Sequence, residues 1–277
     1  MPTISIMIPA YNHEKYVKQT LDSILQDPYP NKEIVIINDG STDDTHSRIE
    51  EWIAQNGEKI TVTYINQENM GLTKTLNKLL KHASGEYLVA LASDDYLLPG
   101  GLQKRFDYLQ KHPEKSAVFA DCIVVDNDNN TLYESGLFEL RHANKAKLLT
   151  DEGIKEEFIS NFAVPGPVLM VRRDYYKKFG GFNEEMYMED YDLYLKFAAK
   201  NLIGFLDEKV SAYRLHETNM SAGNNAKFIN LLIDSRKTLL SHWNDFYGYH
   251  KLLLAKEIIK FSLRIQLQRF KNLATQR

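Results

Sequence analysis

The sequence predicts an α/β protein built on a mostly parallel sheet that helices flank on both faces. In its first hundred residues, short apolar runs alternate with segments whose apolar residues recur at helical spacing. This βαβαβα order is typical of a parallel sheet covered by helices. The apolar runs are nearly continuous, as expected of strands buried on both faces. The predicted strands are residues 4–8, 33–37, 60–65 and 87–92.

Helices and further strands follow from the same periodicity. The helical segments of the first part are residues 16–25, 45–54, 73–83 and 101–112. Later apolar runs predict strands at residues 117–125 and 168–171. The loop Pro165-Gly166-Pro167 precedes the second of these strands, and we expect it to be non-helical because proline fixes φ and lacks an N–H. Residues 226–277 contain no proline and are predicted to form two helices with Gly248 between them.

Composition excludes several classes of protein. The chain has 277 residues with 43% apolar content, which is enough for one large domain or two small ones. A net charge of −3 provides no basic field for nucleic acid, and the single cysteine, Cys122, indicates a reducing compartment. The run 4–8 is too short for a signal peptide, and no apolar run approaches the roughly 20 residues that span a bilayer. We expect a cytoplasmic protein, at most peripherally attached to the inner face of the plasma membrane.

A polar cluster follows each of the first four predicted strands. Ligands of open α/β sheets bind at the carboxyl ends of the strands, so these clusters predict one site. The adjacent carboxylates Asp94 and Asp95 suit a hard divalent cation and a phosphate-bearing ligand. Taken alone, Ser93-Asp94-Asp95 is equally well explained as a solvated turn. The clusters are residues 9–12, 38–44, 66–71 and 93–95.

Other features of these clusters limit the kinds of ligand and reaction that the predicted site suits. Asp43 is better explained as a helix cap than as a ligand contact, whereas Asp39 stands before Gly40 at a strand end. No GxGxxG follows the first strand and no GxxxxGK[ST] occurs, so dinucleotide oxidation and P-loop chemistry are poorly supported. Carboxylates, amides and the aromatic ring of Tyr11 suit a nucleotide with a stacked base and a metal-held diphosphate.

Five ordered motifs resemble inverting glycosyltransferase family two, of the GT-A fold, over residues 4–221. The resemblance implies that a sugar of the hexosyl type moves from a nucleotide sugar, most simply a UDP-sugar, to an acceptor hydroxyl with inversion. It also implies Mn²⁺ or Mg²⁺ as a cofactor. The motifs are Pro-Ala-Tyr-Asn (9–12), Asn-Asp-Gly-Ser-Thr-Asp-Asp-Thr (38–45), Asn-x-Gly (69–71), Ser-Asp-Asp-x-x-x-Pro (93–99) and Glu-Asp-x-Asp-Leu (189–193).

The resemblance implies roles for individual residues. Asp39 would accept from the uracil N3–H, Asp94 would face the ribose, and Asp95 would ligate the metal. Asp190 would be the catalytic base. His216, in the later element Tyr213-Arg214-Leu215-His216 that Asn219 and Ser221 follow, would be a metal ligand or a diphosphate donor. The residues implied to bind the donor are Pro9, Tyr11, Asn12, Asp39, Asn69, Gly71, Asp94 and His216.

The segment around Asp190 also has a helical interpretation of its own. Leu193, Tyr194 and Phe197 are spaced to face the core, and Glu189 and Asp190 fall in the first turn. The helix dipole favours carboxylates there whatever their role. We expect the dipole to lower the pKa of Asp190, so that this carboxylate is ionised and ready to accept a proton.

We divide the chain into a catalytic domain, residues 1–222, and a helical C-terminal extension, residues 223–277. The domain consists of a nucleotide-binding half, 1–100, and an acceptor half, 101–222. Residues 251–277 carry seven basic residues and the single acid Glu257, interleaved with apolar residues. Such a helix can lie on an anionic membrane. Packing on the domain, or on a second subunit of a homodimer, explains the same pattern.

The expected function is transfer to a saccharide or lipid-linked acceptor in bacterial surface polysaccharide synthesis. A nucleotidyltransferase is one alternative, although it normally needs a glycine-rich, basic first loop, which residues 9–13 do not form. The other is a non-catalytic sugar-nucleotide-binding assembly subunit. Ala92, where family members often carry Asp, gives that alternative some support. An Arg that often follows Asn-x-Gly in the family is also missing here.

Overall fold

The first ninety residues build the parallel half of one sheet. Their strands lie in the order β3-β2-β1-β4, and all three pairings are parallel, which confirms the predicted βαβαβα arrangement. The strands are β1 (Ile4–Ala10), β2 (Lys32–Asp39), β3 (Thr61–Gln67) and β4 (Tyr87–Ala90). The helices between them are α1 (Val17–Gln26), α2 (Thr45–Asn56) and α3 (Leu72–His82).

The second half extends the same sheet with mixed pairings. Its strands are β5 (Tyr96–Leu97), β6 (Ala117–Val125), β7 (Thr131–Tyr133), β8 (Met170–Arg172) and β9 (Ile203–Arg214). β8 lies between β4 and β6 and runs antiparallel to both, whereas β9 runs parallel to β6. The structure is a computed structural model that describes residues 1–217 and 225–274, without the side chains of 225–227 and 270–274. Across these residues, nine strands form one sheet.

Helices complete the second half. They are α4 (Gly101–Lys111), α5 (Lys145–Leu148), α6 (Asp151–Ser160), α7 (Arg173–Phe179), α8 (Glu189–Ala199), α9 (Asn225–Ser241) and α10 (Gly248–Ala274). Asn219, Ser221 and the expected boundary between residues 222 and 223 lie outside the described residues, and the division into domains stays a prediction. None of the described helices is both long and apolar enough to cross a bilayer.

One local expectation is wrong. Gly166–Val168 forms a short 3₁₀ turn, and the strand that we placed at 168–171 begins only at Met170. Pro165 precedes this turn in extended backbone, and Pro167 within it has a φ of −86° and a ψ of 24°, outside the helical range. The turn therefore departs from helical backbone at Pro167.

Successive side chains of the central strands pack into two apolar layers, one on each face of the sheet. Ile4, Ile6 and Ile8 of β1 pack on one face of the sheet, and Met7 packs on the other. A strand with helices on both sides is apolar at most positions, because successive side chains point to opposite faces and both faces are buried. This explains the nearly continuous apolar runs in the sequence.

The two C-terminal helices pack on the domain. α10 contacts α6 and α9, and Leu239, Phe246 and Leu254 are buried in the same cluster as Phe119 and Leu195. Two helices were predicted here and are confirmed, with Gly248 at the start of the second. One face of α10 is therefore part of the core, as in the packing alternative.

Two leucines of α10, two positions apart, test this packing. Leu254 is fully buried and Leu252 is 72% exposed. We expect Leu254→Ala to lower the free energy of unfolding by about 2–5 kcal/mol, because it leaves a cavity in the core. The matched change Leu252→Ala should cost less than about 0.5 kcal/mol. Urea unfolding of both variants measures the difference, and equal effects would contradict the observed orientation of the helix.

Candidate functional site

The structure brings the first two polar clusters into direct contact. Asn12 donates its backbone N–H to Ser41 Oγ at 2.9 Å, and Asn12 Oδ1 accepts from the Thr42 N–H at 2.8 Å. Asn12 has a φ of 54°, a left-handed conformation that asparagine tolerates better than most residues. Asp43 lies one residue before the N-cap of α2, which is Asp44, and its Oδ1 accepts from the N–H of Thr45, the first helical residue, at 3.0 Å.

Asp39 anchors the third cluster. Its Oδ1 accepts from Gln67 Nε2 at 2.7 Å and from the Met70 N–H at 2.8 Å, and its Oδ2 accepts from the Gly71 N–H at 3.0 Å. A carboxylate has about four acceptor positions, so one remains on Oδ2. The structure thus shows Asp39 chiefly as the residue that holds the 67–71 loop. The implied contact with uracil stays a prediction.

Gly40 allows the second and third clusters to meet. Its φ of +74° is unfavourable for other residues, and a Cβ at this position would lie 2.6 Å from the Asn69 backbone nitrogen. Any side chain here would push the loop that carries Asn69 away from the strand end. The glycine at this strand end is thus explained by the close approach of the Asn69 backbone.

A cavity of about 570 Å³ opens at the ends of β2 and β3. Much of its lining is amide: Asn38, Asn66, Gln67 and Asn69 contribute to it. Amide side chains both donate and accept hydrogen bonds, as the edge of a nucleotide base requires. The volume lies within the range of small-molecule sites. Tyr11, at the end of β1, is 47% exposed.

A second cluster is built around Asp94. Its Oδ2 lies 2.9 Å from His216 Nε2 and 3.7 Å from His13 Nε2. One ligand atom from each of the three residues lies within 4.8 Å of the others. In the part of the chain that the structure describes, the buried Asp94 Oδ1 has no hydrogen-bond partner. A carboxylate and two imidazoles with an unused buried oxygen fit a divalent cation.

Charges within this cluster are strongly interdependent. Burial opposes ionisation of Asp94, but the hydrogen bond from His216 and the nearby imidazoles leave its pKa below the ordinary value. Burial lowers the pKa of His13, which favours the neutral imidazole that binds metals. His13 Nδ1 lies 2.8 Å from Ser93 Oγ, a contact that orients the ring.

Asp95 occupies a different environment from its neighbour. It is buried, and its Oδ1 accepts from the Arg214 backbone N–H at 2.8 Å. Burial and the adjacent charge of Asp94 raise the pKa of Asp95 well above its ordinary value. The three-residue cluster contains Asp94 and not Asp95, so the geometry offers no support for Asp95 as the metal ligand, and that assignment stays a prediction.

His13 is the residue of this cluster that sequence reasoning missed. The available signal was its position directly after Pro-Ala-Tyr-Asn, at the carboxyl end of β1. His216 was implied by resemblance and lies beside Asp94. The structure thus joins the amino-terminal and late elements of the chain at one strand end.

Asp190 lies at the start of α8, as the spacing predicted. Its Oδ1 accepts from the Tyr191 N–H at 2.7 Å, and Leu193, Tyr194 and Phe197 are buried in the core. Burial raises the pKa of Asp190, so the expectation that the helix dipole would lower it is wrong. The cost of desolvation exceeds what the Tyr191 amide and nearby Arg141 contribute.

Glu189 is the acidic neighbour of Asp190. Burial and the charge of Asp190 raise the pKa of Glu189 to about 8. Two carboxyl groups at one helix start therefore hold their protons more tightly than free side chains do. A base with a raised pKa is suited to proton transfer near neutral pH.

Comparison with known proteins assigns this arrangement to a family. Residues 5–180 match the family described as Glycosyl transferase family 2. The chain belongs to this family. An uncharacterised glycosyltransferase of Rickettsia typhi is 30% identical over 261 residues, which cover 93% of this chain and 74% of the relative. The putative glycosyltransferase EpsE of Bacillus subtilis is 27% identical, over 74% of this chain and 69% of its own.

Solved structures share the fold of this glycosyltransferase. TarS 1–349 of S. aureus, in complex with UDP-GlcNAc, has a TM-score of 0.69 at 22% identity and covers 94% of this chain and 71% of its own. The mannosyltransferase PcManGT of Pyrobaculum calidifontis, in complex with GDP-Man and Mn²⁺, has a TM-score of 0.68 at 19% identity, with coverages of 96% and 72%. The predicted GT-A fold and the assignment as a glycosyltransferase are confirmed.

Arg214 of this glycosyltransferase was not assigned a role from the sequence. It is buried and donates through Nε to the Asp94 carbonyl at 2.9 Å and through a terminal nitrogen to the Asp126 carbonyl at 2.6 Å. Its guanidinium lies 4.8 Å from the centre of the Tyr16 ring, which stacks on His216. Arg214 therefore positions both the 94–95 loop and the imidazole beside it.

α9 supports the start of α8. Asp234 accepts from the Tyr187 N–H at 3.1 Å and from the Met188 N–H at 2.7 Å, directly before the helix that carries Asp190. His242 directly follows α9, and its Nε2 lies 3.0 Å from Asp192 Oδ1. The C-terminal helices of this glycosyltransferase thus bind the segment that carries its candidate base.

Asp234 provides a test of this support. We expect Asp234→Ala to lower the free energy of unfolding by about 1–3 kcal/mol, because two amide donors lose their acceptor. Hydrogen exchange at Tyr187 and Met188 should accelerate, and Asp234→Asn should restore part of the protection. Asn230→Ala, an exposed position one turn earlier on the same helix, is the control. Unchanged exchange at both amides in Asp234→Ala would refute the proposed anchoring.

Proposed function

We propose that this glycosyltransferase transfers a hexosyl group from a nucleotide sugar, most simply a UDP-sugar, to a hydroxyl of a saccharide or lipid-linked acceptor. The product is proposed to serve bacterial surface polysaccharide synthesis, with inversion at the anomeric carbon. The observation that carries the proposal is that an amide-lined cavity and the Asp94 cluster both lie at the carboxyl ends of strands of one sheet. Such an edge is where open α/β sheets bind their ligands.

The donor side of the proposal rests on the strand-end loops. The cavity beside Asn69 takes the base, and exposed Tyr11 offers a ring for stacking. Pro9, Asn12 and Gly71 shape the adjoining backbone, and Asp39 keeps the 67–71 loop in place. TarS and PcManGT are described as complexes with UDP-GlcNAc and GDP-Man, which supports a nucleotide-sugar donor of some kind.

The Asp94 cluster is proposed to hold Mn²⁺ or Mg²⁺. Asp94 would supply a carboxylate oxygen, and His13 and His216 would supply imidazole nitrogens. When bound, such a cation offsets the negative charge of the departing nucleoside diphosphate. Arg214 and Ser93 keep the ligand-bearing loop and the His13 ring in position. His216 as a diphosphate donor is the alternative, since a protonated imidazole donates hydrogen bonds.

Asp190 is proposed as the catalytic base. The acceptor hydroxyl oxygen forms a bond to the anomeric carbon as the bond to the diphosphate oxygen breaks, and the hydroxyl proton passes to the Asp190 carboxylate. The raised pKa of Asp190 makes it a better proton acceptor than an exposed aspartate. Asp234 contributes to this by its proximity, because a second negative charge nearby disfavours ionisation of Asp190.

Replacement of the base separates binding from transfer. Asp190→Asn has nearly the same shape but cannot take a proton, so we expect sugar transfer to fall about 10²- to 10⁴-fold while UDP binding is kept. Asp174→Asn, at an exposed position on α7, is the matched control. Steady-state transfer assays and calorimetry with UDP measure the two properties. Transfer by Asp190→Asn at the wild-type rate would rule out this base.

The metal assignment is tested by exchanging each of the two adjacent carboxylates in turn. UDP binding is measured by calorimetry with and without Mn²⁺, and thermal unfolding checks that each variant is folded. We expect Asp94→Asn to lose the gain in UDP affinity that Mn²⁺ gives, because the cation loses its carboxylate ligand. Asp95→Asn should keep that gain. The reverse result would place the cation on Asp95, as the family resemblance implied.

A further inference from the structure

α10 carries two apolar faces instead of one. Its inner face, with Leu254 fully buried and Ile265 5% exposed, packs on the domain. On the opposite side, four large apolar side chains are more than half exposed. They are Leu252 at 72%, Ile259 at 60%, Leu263 at 55% and Leu267 at 61%, and together they form what we call the outer stripe.

The outer stripe runs along one side of the helix, with Lys256 between Leu252 and Ile259. Its members are separated by seven, four and four residues, a spacing that brings side chains onto one helical face. Tyr249, 60% exposed, extends the stripe at its amino-terminal end. From Leu252 to Leu267 the stripe is about 22 Å long, at about 1.5 Å per residue. A row of exposed large apolar side chains on one helical face is typical of an interaction site.

The charges beside the stripe are of one sign. Lys256 is exposed within the stripe, and Lys260 and Arg264 are exposed along its edge. Glu257 is the only acidic residue of α10, but it is 3% exposed and accepts from Lys260 Nζ at 2.9 Å. α10 therefore presents apolar and basic side chains to the outside and no exposed acid.

We propose that the outer stripe docks this protein on an anionic lipid surface. Leucine and isoleucine side chains enter the boundary between headgroups and acyl chains, and the lysines and arginine contact the anionic headgroups. Tyr249 lies where an amphipathic ring is favoured, at the interface between lipid and water. The proposal does not depend on the identity of the donor or the acceptor.

A second copy of the chain fits the same stripe less well. A two-fold contact sets a patch against its own copy. Lys256 and Lys260 would then face the same cations of the partner copy without any exposed acid of α10 to pair with them. Like charges held together in this way destabilise an interface. An anionic membrane, by contrast, complements both the charge and the apolar side chains.

The experiment is co-sedimentation of the 277-residue chain with vesicles. Vesicles of phosphatidylcholine mixed with phosphatidylglycerol should bind the protein, and vesicles of phosphatidylcholine alone should bind it more weakly. Binding should fall as salt is raised, because surface charges are screened. Lys256→Gln should weaken binding about fivefold, the effect of one basic residue near an anionic surface. Lys111→Gln, an exposed lysine on α4, should leave binding unchanged.

A second pair of variants tests whether the apolar side chains of the outer stripe insert into the membrane. Ile259→Ser combined with Leu263→Ser should abolish most sedimentation, whereas Leu132→Ser, at an exposed position on β7, should not. Urea unfolding confirms that all variants are folded, since the changed side chains face outward. No sedimentation of the wild type with the mixed vesicles, or no effect of the double change, would overturn the proposal. If the wild type is a dimer by analytical ultracentrifugation and the double variant is a monomer, the stripe is a subunit interface instead.

Discussion

The centre of the site depends on the hydrogen bonds that the buried guanidinium of Arg214 donates. Arg214 lies at the last position of β9, yet it bonds the carbonyl of Asp94 after β4 and the carbonyl of Asp126 after β6. Its own backbone N–H bonds Asp95, 119 residues earlier in the chain. A planar, permanently charged group with five donors can hold several loops at once, which a lysine cannot.

Desolvation sets the acid–base properties of the candidate site. Asp95, Glu189 and Asp190 all have raised pKa values, and burial is the largest cause in each case. Asp94 differs because two imidazoles approach it closely, and they outweigh the effect of burial. Two adjacent aspartates with identical intrinsic chemistry therefore acquire opposite shifts of pKa. The hydrogen bonds of the two carboxylates also differ, since Asp95 accepts from the Arg214 N–H whereas Asp94 Oδ1 has no partner among the described residues.

The C-terminal helices contact the segment that carries Asp190 and also form part of the outer surface of the molecule. Asp234 of α9 and His242, which directly follows α9, hold α8, the helix that begins with Glu189 and Asp190. Through the inner face of α10 the C-terminal helices share the apolar core of the domain. The outer stripe lies on the other side of the same helix. Any contact made by that stripe is consequently two helices away from the candidate base.

Local patterns in the sequence determined the elements of this fold and the place of its motifs. The spacing of apolar residues and the positions of turn residues located the parallel strands and the polar residues at their ends. They also placed Asp190 in a first helical turn. Each of these features is set by residues close together in the chain. The motif at residues 213–216 directed attention to His216. Only the tertiary structure placed His216 against Asp94, 122 residues away, and added His13 to the pair.

Dependence on residues distant in the chain also explains why the expected lowering of the Asp190 pKa is wrong. A helix dipole is a local property and can be read from position in the helix, whereas burial depends on everything packed around the side chain. Asp190 is half-buried among elements distant in the sequence, and the charges of Arg141 and of Asp234 on α9 act on it. Likewise, the sequence of α10 shows a basic amphipathic helix, but packing on α6 and α9 decided which apolar side chains are buried and left Leu252, Ile259, Leu263 and Leu267 outside.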